Sequence, residues 1–430
     1  MLTETIRRHA GLSLALTVAS MVIGVAAWVL KWLISAISSL CLSEFKAVGY
    51  NWFIIVLPVA GIMLTGLIVR RVVKWPLEHA TDRIKARVAK GDGHMPLRLT
   101  VASIVTNAIT LGSGGSAGAE GPIADTGAAI GSNIARFFRL DERGMLVLMA
   151  CGAGAGIAAI FKSPVGGIFF TLEVLRMQLG VVPVLMLAAM CLISSQTASA
   201  LSDFGPDLVL GQVPASFSWH MMLPMVGLGI FCGLYSCYYK ATGDAVARRL
   251  HAIKAPVVRN AVSGLFLGII LFLFPALYGE GYGVLTEVAD GRMQHLWLGS
   301  VLSGMSGPWL PLCALAGILL FKGMAATDTN SGGGVAGEFA PTLFAGGMAG
   351  ACFSLLAGPD LIPVETAVIC GMAGGMSGVI QAPIMSVFIT VEMMRTPDLI
   401  LPVSLVAVVS VAVSKGLSLA AQSVRLSRSK

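Results

Sequence analysis

Apolar runs on the scale of a bilayer, separated by short polar intervals, set the pattern of this chain. A membrane-spanning helix needs roughly 20 predominantly apolar residues. Runs approaching or exceeding that length are Leu12–Leu40 (interrupted only by Lys31), Trp52–Val69, Val181–Leu201, Met221–Tyr239, Ala261–Leu277 and Leu399–Val413. Between them lie glycine-rich apolar stretches at 103–135, 144–175, 311–357 and 366–394, too interrupted to be simple spans. Irregular backbone at membrane depth is tolerated only inside protein or beside a watery cavity. The pattern therefore predicts an all-α polytopic membrane protein, with the clean runs facing lipid and the glycine-rich stretches forming the interior. Residues 1–430 read as a single transmembrane domain, with no soluble appendage after the last run.

Composition agrees. The chain is 56% hydrophobic and 12% charged, with a mean hydropathy of +0.84, where soluble domains carry about twice that charged fraction. Arg7 and Arg8 before the first run imitate a secretory signal. That run is too long for a signal core and lacks a cleavage site, so it predicts a retained first helix. The longest polar segment, Arg70–Arg98, holds eight Lys and Arg residues against Glu78, Asp82 and Asp92. The positive-inside rule places it, and with it the N-terminus, in the cytoplasm of a multi-pass protein of the inner (plasma) membrane. Juxtamembrane lysines and arginines account for the net charge of +7, which calls for no nucleic-acid partner. The eight cysteines lie mostly in apolar runs without CxxC spacing, and the six histidines make no metal-ligand pattern. Neither a disulfide, a metal nor any other cofactor is expected.

The chain also repeats itself. Gly118-Ala119-Glu120-Gly121-Pro122 and Gly337-Glu338-Phe339-Ala340-Pro341 are separated by 341 − 122 = 219 residues. The same offset carries Cys151-Gly152, Gly156, Pro164, Phe169, Thr171, Glu173 and Arg176 onto Cys370-Gly371, Gly375, Pro383, Phe388, Thr390, Glu392 and Arg395. One offset across both sets marks an internal duplication, with halves at about 11–200 and 215–420. Paired Gly/Pro-interrupted apolar segments in a duplicated membrane protein point to the binding site.

The proline of each motif predicts a helix start, Pro122 through Ile130 and Pro341 through Met348. Helices that begin inside the membrane turn free N–H groups and positive dipole ends into a cavity, where they attract anions without a full cationic charge. An anion held in this way is free to leave again. Two such ends related by internal symmetry predict one shared site, with backbone amides of Gly121, Ile123, Glu338, Phe339 and Ala340 as ligands. Glu120, at the start of the first helix, is the candidate gate: ionised it mimics the anion, protonated it swings away. Asp125 reads as a first-turn carboxylate that caps the helix. Glu338 reads either as such a cap or as a second carboxylate in the cavity. Glu120, Glu338 and Glu173 are the candidate proton-titrating groups. The i, i+3 spacing of Glu173/Arg176 and Glu392/Arg395 predicts an ion pair on one helix face in each half. Lys162 and Lys322, at run edges, are expected to snorkel outward, Lys322 alternatively lending positive potential to an anion path. Gly114-Gly115-Ser116-Ala117-Gly118 fits the G-x-S-x-G pattern of a hydrolase nucleophile. No strand precedes the serine and the histidines sit mostly in polar loops or at run edges, so no catalytic residue and no enzyme is expected.

Together these motifs resemble the CLC family of chloride channels and chloride/proton antiporters. Gly118–Pro122 is similar to the family's G-[K/R]-E-G-P motif and Gly337–Pro341 to its G-x-F-x-P motif. Gly152–Glu173 and Gly371–Glu392 resemble its two Ala-Pro-Leu-Ala-Gly helix regions. The resemblance covers roughly Leu12 to Leu417. It implies antiparallel (inverted) repeats of tilted and broken helices and a homodimer with one pore per subunit. The family's regulatory tail domains are not expected in this chain, as in many bacterial members. It also departs from the family in the pore. The G-S-G-I-P serine motif is missing around His79–Arg83, where Thr81 is the nearest substitute. No tyrosine follows Tyr282 to match the pore tyrosine. The position after Glu173 is Val174 where antiporters carry an inner glutamate, Ala119 replaces the basic residue of the first motif, and Glu338 replaces a small apolar residue. The expected function is a membrane chloride channel or transporter gated by Glu120, with flux activated by acid and not coupled stoichiometrically to protons. The alternatives are a CLC-like transporter of fluoride, bicarbonate or nitrate, or a membrane protein that binds an anion without conducting it.

Overall fold

With no water to bond backbone groups in a bilayer, a chain this apolar satisfies its peptide hydrogen bonds within helices. The computed structural model describes residues 2–42, 53–75, 79–202, 221–300 and 302–428. Among these there is no strand, only helix, turns and one isolated antiparallel bridge. The first eight α-helices are α1 (Leu2–Leu42), α2 (Phe53–Ile68), α3 (Ala80–Lys90), α4 (Leu99–Gly112), α5 (Glu120–Phe137), α6 (Glu142–Phe161), α7 (Pro164–Phe169) and α8 (Val181–Leu201). The second eight are α9 (Met222–His251), α10 (Pro256–Leu273), α11 (Tyr282–Ala289), α12 (Leu310–Ser331), α13 (Phe339–Ala357), α14 (Val364–Ile380), α15 (Pro383–Met394) and α16 (Ile400–Arg428). The starts of α5 and α13, α7 and α15, and α8 and α16 differ by 339 − 120, 383 − 164 and 400 − 181, each 219. Trp52 and Glu78 lie outside the described residues, as does most of the expected junction of the halves, from residue 203 to 215.

Nine of the described helices are long and apolar enough to cross a membrane. The division into walls and interior follows the sequence pattern. α6 and α13 are 72% and 83% buried over their apolar windows, whereas α8 is 33% buried. Glycine makes that interior close-packed. A Cβ on Gly127 would collide with the carbonyl of Gly152, and one on Gly152 with the carbonyl of Gly127, so α5 and α6 touch backbone to backbone. Gly346 and Gly371 make the same reciprocal contact between α13 and α14. Small residues at such crossings are what let membrane helices approach.

The duplication extends to individual backbone angles. Lys162 and Gln381 have φ of 53° and 66°, Arg176 and Arg395 of 56° and 53°, and Gly114 and Gly333 of 109° and 113°. Each pair is 219 apart. Two contacts lie on the axis relating the halves. Gly118 and Gly337 form the antiparallel bridge, Gly118 N–H donating to the Gly337 carbonyl at 3.0 Å and Gly337 N–H donating back at 2.6 Å. The rings of Phe169 and Phe388 stack at 5.2 Å with 7° between their planes.

The expected ion pairs within each half do not form. The Glu173 carboxylate instead accepts from the N–H groups of Met385 (2.8 Å) and Ile384 (3.4 Å), at the start of α15 in the other half. Glu392 does the reverse, accepting from Val165 (3.0 Å) and Gly166 (3.1 Å) and from the Ser163 hydroxyl at the start of α7. Free N–H groups at a helix start hold a carboxylate in place. Arg176 and Arg395 take left-handed backbone that ends their helical segments, which turns them away from the i, i+3 partner.

Candidate functional site

The bridge between Gly118 and Gly337 holds the N-termini of α5 and α13 side by side in the protein interior. Both helices begin earlier than their prolines suggest. Glu120 and Phe339 are the first helical residues, which puts Pro122 and Pro341 at the third position of the first turn. A proline there removes an N–H that has no helical partner in any case. The amides left facing outward from the first turns belong to Glu120, Gly121, Phe339 and Ala340. Ile123 is not among them, since its N–H donates to the Ala119 carbonyl at 3.2 Å as the first regular helical bond.

Glu120 crosses from its own half to the other. Its side chain is 1% exposed, and its carboxylate accepts a hydrogen bond from the Ala340 N–H at the start of α13. The second carboxylate oxygen has no hydrogen-bond partner in the protein. A Cβ on either Gly118 or Gly337 would occupy the space of this carboxylate, so both bridge residues must be glycine for Glu120 to lie across them. A negative group thus sits at a helix N-terminus, in the place suited to an anion.

The other expected residues divide. Glu338 is the residue preceding the first turn of α13, but its side chain makes no capping bond. It is half exposed and points into a cavity of about 390 Å³, 3.8 Å from the imidazole of His79. Thr81 lines the same cavity. Asp125 lies beyond the first turn of α5, buried and paired with Arg83 of α3, so it is a tertiary ion pair rather than a cap. Lys322 does not snorkel outward. It is fully buried, donates to the Ser116 hydroxyl at 2.9 Å, and lies 4.8 Å from the centre of the Phe344 ring on α13. Ser116 passes its own hydrogen to the Leu277 carbonyl at 2.6 Å, so the G-x-S-x-G serine belongs to a buried polar strut. Lys162 has left-handed backbone that ends α6 and lines a second, larger cavity. Val174 is buried.

Two participants escaped the sequence reading. Glu280 accepts from the Lys31 ammonium at 2.5 Å and from the Ala119 N–H at 3.4 Å, immediately before α5. Both side chains line the larger cavity, of about 800 Å³. Lys31 as the lone break in an apolar run was the available signal, because a cation within a membrane-spanning run requires a partner. Tyr239, on α9, is buried and lines the smaller cavity beside Gly121, Gly337 and Phe339. Nothing local in sequence marks it.

Comparison with known proteins places this geometry. Residues 61–415 match the family described as voltage gated chloride channel. A ClcB-like chloride channel protein of Ralstonia nicotianae is 28% identical over 394 residues, covering 88% of this chain and 86% of the relative. The fold of a slow cyanobacterial Cl-/H+ antiporter superposes with a TM-score of 0.75 at 21% identity, over 94% of each chain. That of a CLC-type fluoride/proton antiporter gives 0.74 at 21% identity, over 95% of this chain and 96% of the other. With a family match across most of its length and the inverted repeat in its fold, the chain belongs to the voltage-gated chloride channel (CLC) family.

Proposed function

We propose that this CLC-family anion transporter or channel passes small anions, chloride foremost, between its two cavities at the paired N-termini of α5 and α13, with Glu120 as the gate. The observation that carries the reading is the Glu120 carboxylate on the Ala340 N–H, where a carboxylate in one half occupies the helix end of the other. Amides of Gly121, Phe339 and Ala340 are the anion ligands in this reading, and the buried Lys322 adds positive potential from behind α13. The Lys31–Glu280 pair sets the charge of the larger cavity, where the first motif itself offers only Ala119.

Proton coupling is not part of the proposal, although the two solved relatives above are proton antiporters. A coupled route needs a second titratable station beyond Glu120. Val174 binds no proton, and the Glu173 carboxylate is held at the start of α15. Glu338 faces the smaller cavity, where its charge opposes incoming anions, and its protonation relieves that repulsion. The flux is therefore passive and rises as pH falls. The protein acts as a homodimer in the plasma membrane, with its N-terminus in the cytoplasm.

The test is purified protein in liposomes, assayed for electrogenic flux against chloride, fluoride, bicarbonate and nitrate. Chloride flux that Glu120→Gln accelerates is the expected result. No flux of any anion overturns the reading. A reversal potential that moves with a proton gradient at fixed chloride overturns the uncoupled mode while leaving the pathway standing.

A further inference from the structure

We propose that Tyr239 donates its phenolic hydrogen bond to the anion held at the α5 and α13 N-termini, as the side-chain ligand that the motif regions themselves do not supply. This rests on the anion pathway proposed above and names a ligand for it. The Tyr239 side chain is 6% exposed, and its hydroxyl has no hydrogen-bond partner in the protein. A phenol removed from water without an acceptor is costly, so buried tyrosine hydroxyls find partners. Its neighbour Tyr235 obeys that rule, donating to the Leu319 carbonyl at 3.1 Å.

The position of Tyr239 indicates what the missing acceptor is. Its ring lines the cavity of about 390 Å³ together with Gly121, Gly337 and Phe339, the residues at the two helix starts. Tyr239 shares a cluster of buried side chains with Ala326 of α12 and Ala345 of α13. Gly323 of α12 lies flat against the ring, and a Cβ there would stand 3.1 Å from a ring carbon. A lone donor on a residue that lines this cavity, between two helix starts with free amides, suits an acceptor with negative charge. Small monovalent anions have that chemistry.

Tyr239→Phe keeps the ring and removes only the hydroxyl. Chloride and fluoride are each titrated calorimetrically into the purified full-length protein, and the rise in thermal unfolding temperature with each anion is recorded alongside. Losing one hydrogen bond to a charged group weakens binding about tenfold or more, so the variant shows that loss and a smaller anion-dependent stabilisation. Because the hydroxyl bonds nothing else in the protein, the variant without anion unfolds no earlier than the wild type. Tyr235→Phe serves as the contrast: it gives up the hydrogen bond to the Leu319 carbonyl yet binds both anions as the wild type does. Anion binding and anion-dependent stabilisation left unchanged by Tyr239→Phe overturn the assignment. A wild type that binds neither anion overturns the pathway, and the assignment with it.

Discussion

The Glu120 carboxylate accepts from the Ala340 N–H across the two halves, and in the gate proposed above the strength of that bond is what opening adjusts. The ionised carboxylate is the form that the Ala340 N–H and the positive end of α13 hold. A proton neutralises it and weakens the hold, so flux is expected to rise as pH falls. A hydrogen bond to a charged group contributes about 1.5–3 kcal/mol, enough to change the time the seat stays blocked by roughly one to two orders of magnitude. Glu120→Gln is therefore expected to raise chloride flux severalfold and flatten its pH response, with the residual pH response removed by adding Glu338→Gln. Liposome flux measured from acid to neutral pH checks this, and an unaltered response in both variants sinks the gate. Gly118→Ala offers an independent check. The three atoms nearest to its Cβ all belong to the Glu120 carboxylate, so the variant is expected to reproduce the raised flux of Glu120→Gln in protein that elutes as the wild type does.

At the level of elements, the short helices α7 and α15 are held by carboxylates from opposite halves. Glu392→Gln weakens the cap of α7 and is expected to cost about 1–2 kcal/mol of stability, read as earlier thermal unfolding in detergent. Glu173→Gln should do the same for α15. Arg176→Gly separates this arrangement from the ion pair the spacing suggested. With φ of 56° the backbone favours glycine, so the variant should match the wild type or gain up to about 1 kcal/mol, where loss of a salt bridge would lower stability. Gly127→Ala, pressed against the Gly152 carbonyl, is expected to lose about 1–3 kcal/mol, while Gly180→Ala, which meets open space, should change little. What could be read from sequence follows the same division. The duplication, the paired helix starts and Glu120 were legible because glycine, proline and a constant offset leave a covalent record. The partners of Glu173, Glu280 and Lys322 were not, because each is fixed by how elements distant in sequence meet, and rules of local spacing carry no information about that meeting. The prolines do lie in the first turns, but the starts of α5 and α13 were placed two residues late, since a proline fits any position of a first turn and does not mark which one it occupies.

Across the whole molecule, inversion predicts where the chain surfaces. Arg139 follows α5 and Asp360 follows α13 in the corresponding turn, and both are exposed. Single cysteines at these positions, with the exposed Cys313 changed to Ser, should react with an impermeant thiol reagent from opposite sides of a sealed vesicle. Reaction from one side only would contradict the inverted arrangement. The axis through Gly118 and Gly337 also has a consequence for descent. Its two-fold symmetry maps Glu120 onto Phe339, since 120 + 219 = 339. If two separate but identical half-length chains paired about this axis, they would bring two like carboxylates to one small seat, each blocking and repelling the other. Joined in a single polypeptide, the halves were free to differ. One carries the acid, while the other carries a phenylalanine at that position, whose ring packs edge-on against Phe170 at 5.8 Å. A single carboxylate at the paired helix starts is thus an asymmetry that a pair of identical half-length chains could not present.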